Sequence, residues 1–292
     1  MLGDWRIYQG DSMSTEHLVI TGRSGAGVST TAVNLSAALA EQGYRVAHLG
    51  YDRHRISTGL LRGRAPLAAA CVNACKEACN DTKIHCAIGF QNILCIECGV
   101  DDEADIAPEF DVVRRMELMA RFRPDFVVHD ISGGPESVLP FLRSEGEPAR
   151  LFVVTSDDFA ALTTLNLFLG AFSSKSPDDS MFGGVIANNI SGPFFESLVD
   201  DFTRGAGTKP IVSVPHSLMV SVGEYGSQTV IESAPGSHLS SVYRKLARLV
   251  VQGLGVGTPH SLDAATFAAW LRKWSEITQE LESGMVQDGA AI

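Results

Sequence analysis

Nowhere in these 292 residues does an apolar run approach the length needed to cross a bilayer, so no membrane partner is expected. Basic charge is scarce as well: 23 Lys and Arg stand against 34 Asp and Glu, a formal net charge of −11. Binding to a nucleic-acid backbone depends on clustered cations, and with no strong basic stripe no nucleic-acid partner is expected. Met1 to Glu16 lacks both the apolar core of a secretory signal and the arginine richness of a transit peptide. It reads as a short flexible arm, residues 1–16, on a cytoplasmic protein. Internal repeats and low-complexity tracts are missing too.

A single absent lysine matters most. Residues 22–30 read GRSGAGVST, which follows the phosphate-loop pattern GxxxxGK[ST] except that Val28 stands in the lysine position. Gly22, Gly25 and Gly27 suit a tight loop whose backbone amides cradle phosphate, and Ser29 and Thr30 open the helix behind it. The apolar run Leu18 to Thr21 precedes the loop, and Ala32, Leu35 and Leu39 follow at helical spacing, closed by Gly43. A glycine-rich turn that binds nothing is the bland alternative. The cradle is present; the cation that neutralises the β and γ phosphates is not.

Short apolar runs near 17–22, 45–50, 93–96, 126–130, 151–156, 184–188 and 211–214 predict strands covered on both faces. Helical patterns fall between them at about 29–42, 66–79, 109–122, 158–172, 193–204 and 240–252. This order predicts a doubly wound, mainly parallel α/β sheet flanked by helices, over residues 17–260. A further amphipathic helix, within 261–284, carries Phe267, Trp270, Leu271, Trp274, Ile277 and Leu281 on one stripe. It is expected to dock on the domain or on a partner subunit.

In such a sheet ligands bind beyond the carboxyl ends of the strands. The strand FVVHD ends in Asp130, followed by glycines 133 and 134, in the manner of a Walker B carboxylate and its switch loop. Ser29 and Asp130 are therefore the candidate magnesium ligands, if nucleotide binds. Asp52, after the second strand, is a weak candidate for orienting an attacking water, with a turn or cap residue as its alternative. His129 reads as a core histidine.

Taken together these segments resemble the nitrogenase iron protein family of the deviant Walker group. The family loop GKGGIGKST matches at Gly22, Gly25, Gly27, Ser29 and Thr30. LCIECG is similar to the family's KCVESG, DISGG to DVLGD, and GGVIANNIS to GGLICNSRN, in consistent order from about residue 17 to 280. The resemblance implies a P-loop fold, a homodimer and adenine contacts at Asn188, Pro215 and Tyr243, with His216 in place of a nearby arginine.

Departures from the family pattern carry the functional expectation. The family's signature lysine, which reaches across the dimer to phosphate, is Arg23, and its phosphate-clamping lysine is Val28. DPKADST becomes DRHRIST, which keeps Asp52 and puts Ile56 in place of an aspartate; DVLGD loses its last carboxylate to Gly134. Cysteines that would ligate a shared [4Fe-4S] cluster fall at Ala107 and Ser137, and a docking arginine at Phe110. The resemblance thus implies a degenerate member: ATP or ADP with magnesium held weakly, no cluster at the family position, and a regulatory or assembly role beside a nitrogenase-like system.

All six cysteines lie in one window, Cys71, Cys75, Cys79, Cys86, Cys95 and Cys98. If 66–79 is helical, the first three share a stripe and could form a relocated cluster site with Cys86 or Cys98. Buried cysteine also serves as a small core hydrophobe, and the lone Cys95-to-Cys98 CxxC is a weak metal signal. Two alternatives therefore stand beside the leading one: an ATP-dependent electron-donating reductase with a relocated cluster, and a positioning ATPase of the partition type.

Overall fold

The computed structural model describes residues 15–69, 84–99, 117–138, 149–175, 181–253 and 257–283. Strand β1 (Glu16–Gly22) leads into helix α1 (Val28–Glu41), then β2 (Val46–Gly50), α2 (Gly59–Arg62), β3 (Ala68–Ala69), β4 (His85–Ile88) and β5 (Leu94–Glu97). Next come α3 (Glu117–Phe122), β6 (Phe126–Ser132), α4 (Pro135–Val138), β7 (Ala149–Thr155), α5 (Phe159–Lys175), β8 (Phe182–Ile190) and α6 (Pro193–Gly205). The chain continues through β9 (Pro210–Pro215), α7 (Leu218–Gly226), α8 (Val230–Ser233), α9 (His238–Gln252) and α10 (Ala264–Ser283).

One sheet takes the strands in the order β3-β4-β5-β2-β6-β1-β7-β8-β9. From β5 to β9 every pairing is parallel, while β4 runs antiparallel to both β3 and β5. The doubly wound α/β architecture is thus present. Alternation along β1 explains why the sheet is covered twice: Val19 enters one core, Leu18 and Ile20 the other. In the first core Phe168 and Phe172 of α5 meet Phe202 of α6 and Trp274 of α10. In the second, Leu35 and Leu39 of α1 pack with Tyr243 and Leu246 of α9. The alanine-rich α1 is buried over most of its length, which explains why its sequence shows little polar face.

One expectation needs correction. The helix placed at 66–79 does not begin there, because Ala68 and Ala69 pair antiparallel with Cys86 and His85. The remainder of that window, with Cys71, Cys75 and Cys79, lies outside the described residues. The stretch 109–122 is helical over Glu117–Phe122, its earlier part also lying outside them. Helices α7 and α8 and strand β4 add elements that the apolar spacing did not show. Among the described residues no helix is long and apolar enough to cross a membrane.

The last helix packs on the chain's own body. Phe267, Trp270 and Ile277 lie against the first core, and Trp274 is buried in it. One oxygen of Asp201 on α6 holds this helix by accepting from Trp274 Nε1 at 2.8 Å, Trp270 Nε1 at 3.1 Å and Lys273 Nζ at 2.9 Å.

Candidate functional site

The loop between β1 and α1 is shaped by its glycines. Gly27 sits in the left-handed region, with φ 85°, and ends the loop as the N-cap of α1. No side chain caps that helix and no acid occupies its first turn, so its leading N–H groups face outward as donors for an anion. Ser29 is exposed and Thr30 half-buried there. From below, Asn188 of β8 braces the loop, its Nδ2 donating to the Ala26 carbonyl at 2.9 Å. A Cβ on Gly27 would stand 2.1 Å from that nitrogen. Gly27→Ala is therefore expected to break the brace and cost roughly 2–3 kcal/mol, measured as a lower urea midpoint.

Val28 points the other way. It is 3% exposed and belongs to the second core. Its Cγ2 lies 3.3 Å from where a Cβ on Gly22 would be. Hydrocarbon thus fills the base of the loop where the family pattern has a cation. Arg23 stays on the exposed rim, its Nη1 donating to the Ser24 carbonyl at 3.3 Å.

Behind the loop two acids converge. Asp130 lies two residues before the end of β6, opposite Gly50 of β2 and Ile20 of β1, buried, and both its carboxylate oxygens are without a hydrogen-bond partner. Burial pushes its pKa up to about 7, with Glu97 and Asp52 adding to the rise; the hydroxyls of Ser29 and Ser57 oppose it without closing a full hydrogen bond. The structure therefore brings Ser29 and Asp130 together, as the phosphate-loop pattern requires. A buried carboxyl with two orphaned oxygens at a phosphate loop suits a hydrated magnesium ion, which would release its proton.

Glu97, at the end of β5, was not singled out from sequence. Its Oε1 accepts from Thr58 N at 2.6 Å and Thr58 Oγ1 at 2.7 Å, while Oε2 is unpartnered. Burial raises its pKa, and the two Thr58 bonds pull against that rise. Glu97 thereby ties the loop after β2 to the sheet. Gly50 makes the approach possible, since a Cβ there would fall 2.4 Å from Ser57 Cβ and 2.5 Å from Glu97 Oε2. The signal was present in ILCIECG: an acid at the end of a buried apolar strand must have partners.

The remaining candidates are spread more widely. Asp52 is exposed, and its Oδ1 accepts from the His54 N–H at 2.7 Å, which is the turn role. Pro215 ends β9 half-buried, next to His216, whose Nδ1 meets Asn189 Oδ1 at 2.8 Å. Tyr243 is fully enclosed in the second core beside Thr31, so its ring packs on α1 rather than lining an open surface. His129 is buried, bonded through one ring nitrogen to Tyr51 Oη at 3.0 Å and through the other to His17 Nδ1 at 2.9 Å. Gly134 has open space around it, so packing alone does not forbid a carboxylate at that position.

The cysteines that are described do not converge. Cys95 belongs to the second core and Cys98 to the first, on opposite faces of the sheet, and Cys86 packs against the first. Burial, with the nearby Glu97 charge, pushes the Cys95 thiol up to about 12, which disfavours the thiolate that metals require. Among the described residues no group of three or more His, Cys, Asp and Glu could hold a metal ion. At the family's cluster positions Ser137 lies on α4, and Ala107 lies outside the described residues. Neither residue type offers the thiolate that an iron–sulfur cluster needs.

Comparison with known proteins decides the relationship. The model of the 4Fe-4S iron sulfur cluster binding proteins, NifH/frxC family, matches residues 16–276. The chain belongs to this family. It is 31% identical over 291 residues to nitrogenase iron protein 2 of Paenibacillus durus, covering 94% of this chain and 97% of the relative. Nitrogenase iron protein of Methanospirillum hungatei is 29% identical over 260 residues, covering 85% and 92%. Among solved structures, the MinC:MinD cell division complex of Aquifex aeolicus matches with TM-score 0.62 and 16% identity, over 82% of this chain and 96% of that one. MinD with Mg-ADP from Pyrococcus horikoshii matches with TM-score 0.58 and 18% identity, over 82% and 96%. These structural likenesses establish the P-loop fold. Within the NifH/frxC family the present chain is a divergent member.

Proposed function

We propose that this chain is a catalytically degenerate member of the NifH/frxC family: a homodimer that binds MgATP or MgADP weakly, hydrolyses poorly and acts as an assembly or regulatory partner of a nitrogenase-like system. The observation that carries this reading is Val28, whose side chain seals the base of an otherwise intact phosphate cradle. Ile56 and Gly134 support it, since both positions have room for the missing carboxylates and carry none. A cluster does not fit the residues at the family position, so no electron-transfer step is assigned to it.

A docking role is supported by where apolar surface is exposed. Ile56 is 64% exposed after β2, Phe159 59% after β7, and Leu218, Val222 and Tyr225 lie open on α7 after β9. These five follow the carboxyl ends of strands in the chain, as the phosphate loop does, while Leu167 on α5 and Leu281 on α10 are exposed as well. Contiguous exposed hydrophobics are characteristic of protein contact surfaces.

Calorimetry tests the nucleotide half of the proposal. Losing a charge-assisted contact worth roughly 1.5–3 kcal/mol leaves MgATP binding micromolar or weaker; submicromolar affinity would contradict it. Val28→Lys is expected to leave turnover slow, because Ile56 and Gly134 are unchanged. Brisk phosphate release by that variant would show that the valine alone had silenced the site.

A further inference from the structure

We propose that Asp130 and Glu97 together hold a divalent cation, magnesium or manganese, without any nucleotide being bound. This rests on the reading of Asp130 as a magnesium carboxylate, and adds a second acid and a cation that is resident before nucleotide arrives. The register of the sheet supplies the geometry. Asp130 on β6 pairs with Gly50 on β2, and Gly50 pairs with Glu97 on β5, so the two acids flank one glycine in a single row. Neighbouring strands lie about 4.8 Å apart, and residues in one row of a parallel sheet point to the same face. Gly50 adds no side chain to that row, and Glu97 turns into the space it leaves: Oε2 lies 2.5 Å from where a Cβ on Gly50 would stand. Ser57, on the loop after β2, enters the same space, its Cβ 2.4 Å and its Oγ 2.8 Å from that point.

The oxygens left over in this row are hard donors. Asp130 is 3% exposed and Glu97 fully buried, and Asp130 Oδ1, Asp130 Oδ2 and Glu97 Oε2 have no hydrogen-bond partner. Glu97 Oε1 accepts both Thr58 bonds, which fixes the carboxyl group and leaves Oε2 turned toward Gly50. The hydroxyls of Ser29 and Ser57 lie close enough to Asp130 to favour its charge, and Glu97 close enough to oppose it. Two buried carboxylates in one row resist joint ionisation; a dication between them removes the repulsion and satisfies the orphaned oxygens. Carboxylate and hydroxyl oxygens, with water completing the shell, are the donor set of magnesium and manganese, whereas zinc and iron favour nitrogen and sulfur. Arg62 does not fill this role. Its charge acts on Glu97, but its Nη1 donates to the Ala65 carbonyl at 3.2 Å, and both Asp130 oxygens remain unpartnered.

Calorimetric titration of manganese and magnesium chloride into the nucleotide-free, chelator-treated full chain tests this, with the electron spin resonance signal of unbound manganese as a second measure. One cation per subunit is expected, together with a rise in the thermal midpoint. Glu97→Gln keeps an acceptor for both Thr58 bonds, so circular dichroism is expected to be unchanged while manganese affinity falls about tenfold or more. Ser57→Ala keeps both acids and is expected to weaken binding by a smaller factor. Unchanged affinity in Glu97→Gln, or in Ser57→Ala should Glu97→Gln fail to fold, would overturn the inference. So would the absence of manganese binding at millimolar concentration. Cation binding that appears only when ADP or ATP is added would also overturn it, while leaving the nucleotide reading intact. Cation binding with no nucleotide binding afterwards would uphold it and overturn the nucleotide half of the proposed function instead.

Discussion

Asp201→Ala is expected to lower the unfolding free energy by about 3 kcal/mol and the thermal midpoint by roughly 6–12 °C. One carboxylate oxygen on α6 holds the last helix through two indole N–H groups and an ammonium. Burial alone would raise the pKa of this acid; the Lys273 and Trp274 bonds outweigh it and hold the carboxylate ionised. Hydrogen bonds to a charged group are worth more than neutral ones, and the 26% exposure of the side chain reduces the total by screening. Truncation also strands the donors of Trp274, a buried residue. Asp201→Asn keeps one carbonyl acceptor and is expected to lose about half as much. Intrinsic fluorescence reports the change directly, since two of the three tryptophans are those held by this acid. The same two indoles line a groove of about 400 Å³ between α5, α6 and α10, so emission shifts with the docking of the helix. An Asp201→Ala protein as stable as the wild type would mean that packing of α10 suffices without the clamp.

Acid is expected to destabilise the protein by at most about 1.4 kcal/mol per pH unit as pH falls below 6.5, and Asp130→Asn is expected to steepen that slope by about as much again. His48 lies in the second core with Nδ1 2.8 Å from Ser36 Oγ, and burial pushes its pKa from 6.5 to about 3. Burial, then the charges of His17 and His48, holds His129 well below the ordinary histidine range. For a base kept neutral in the native state, the unfolded chain takes the proton first. The stability it contributes is therefore full above pH 6.5 and is lost as pH falls below it. Asp130 acts with the opposite sign. Its native pKa near 7, against an ordinary 3.8, means that the native state keeps a proton the unfolded chain has released. Across this window the unfolded chain gains two protons at the histidines and the native state holds one at Asp130, leaving a net difference of at most one, which Glu97, its pKa also raised by burial, reduces further at the acid end. Removing Asp130 raises the difference by one. Urea midpoints at several pH values measure both slopes; a flat profile in wild type and variant would show that the histidines are not held neutral.

The sheet was legible because its central strands are apolar runs of period-independent burial, and the glycine loop marked where the site would form. What escaped the sequence had weak local signals. Strand β4 is four half-buried residues, HCAI, paired at the sheet edge with only Ala68 and Ala69 on its far side. The apolar, alanine-rich stretch from position 66 therefore reads as the opening of a helix. Helix α7 contains Gly223 and exposes Leu218, Val222 and Tyr225, so its apolar residues do not trace a buried stripe.

At the site, the loop residues, Ser29 and Asp130 stand out in the sequence because the pattern dictates their types. Glu97 was missed because a buried acid has no periodic signature, and its meaning comes from Thr58, 39 residues away. The structure also changes how two expected residues are seen. Asn188 braces Ala26 from beneath the loop, and Tyr243 lies inside the core. The spacing of Cys95 and Cys98 reads as a pair, yet Cys95 lies within β5 and Cys98 just beyond its end, in opposite cores.

The central claim is that this member of the NifH/frxC family has kept the phosphate cradle and given up the cluster. Iron and acid-labile sulfide analysis of protein purified without oxygen tests it most directly. The account predicts substoichiometric iron and sulfide, far below one per subunit. Roughly four irons and four sulfides per dimer, or per subunit, would contradict it and return the six cysteines to the centre of the chemistry.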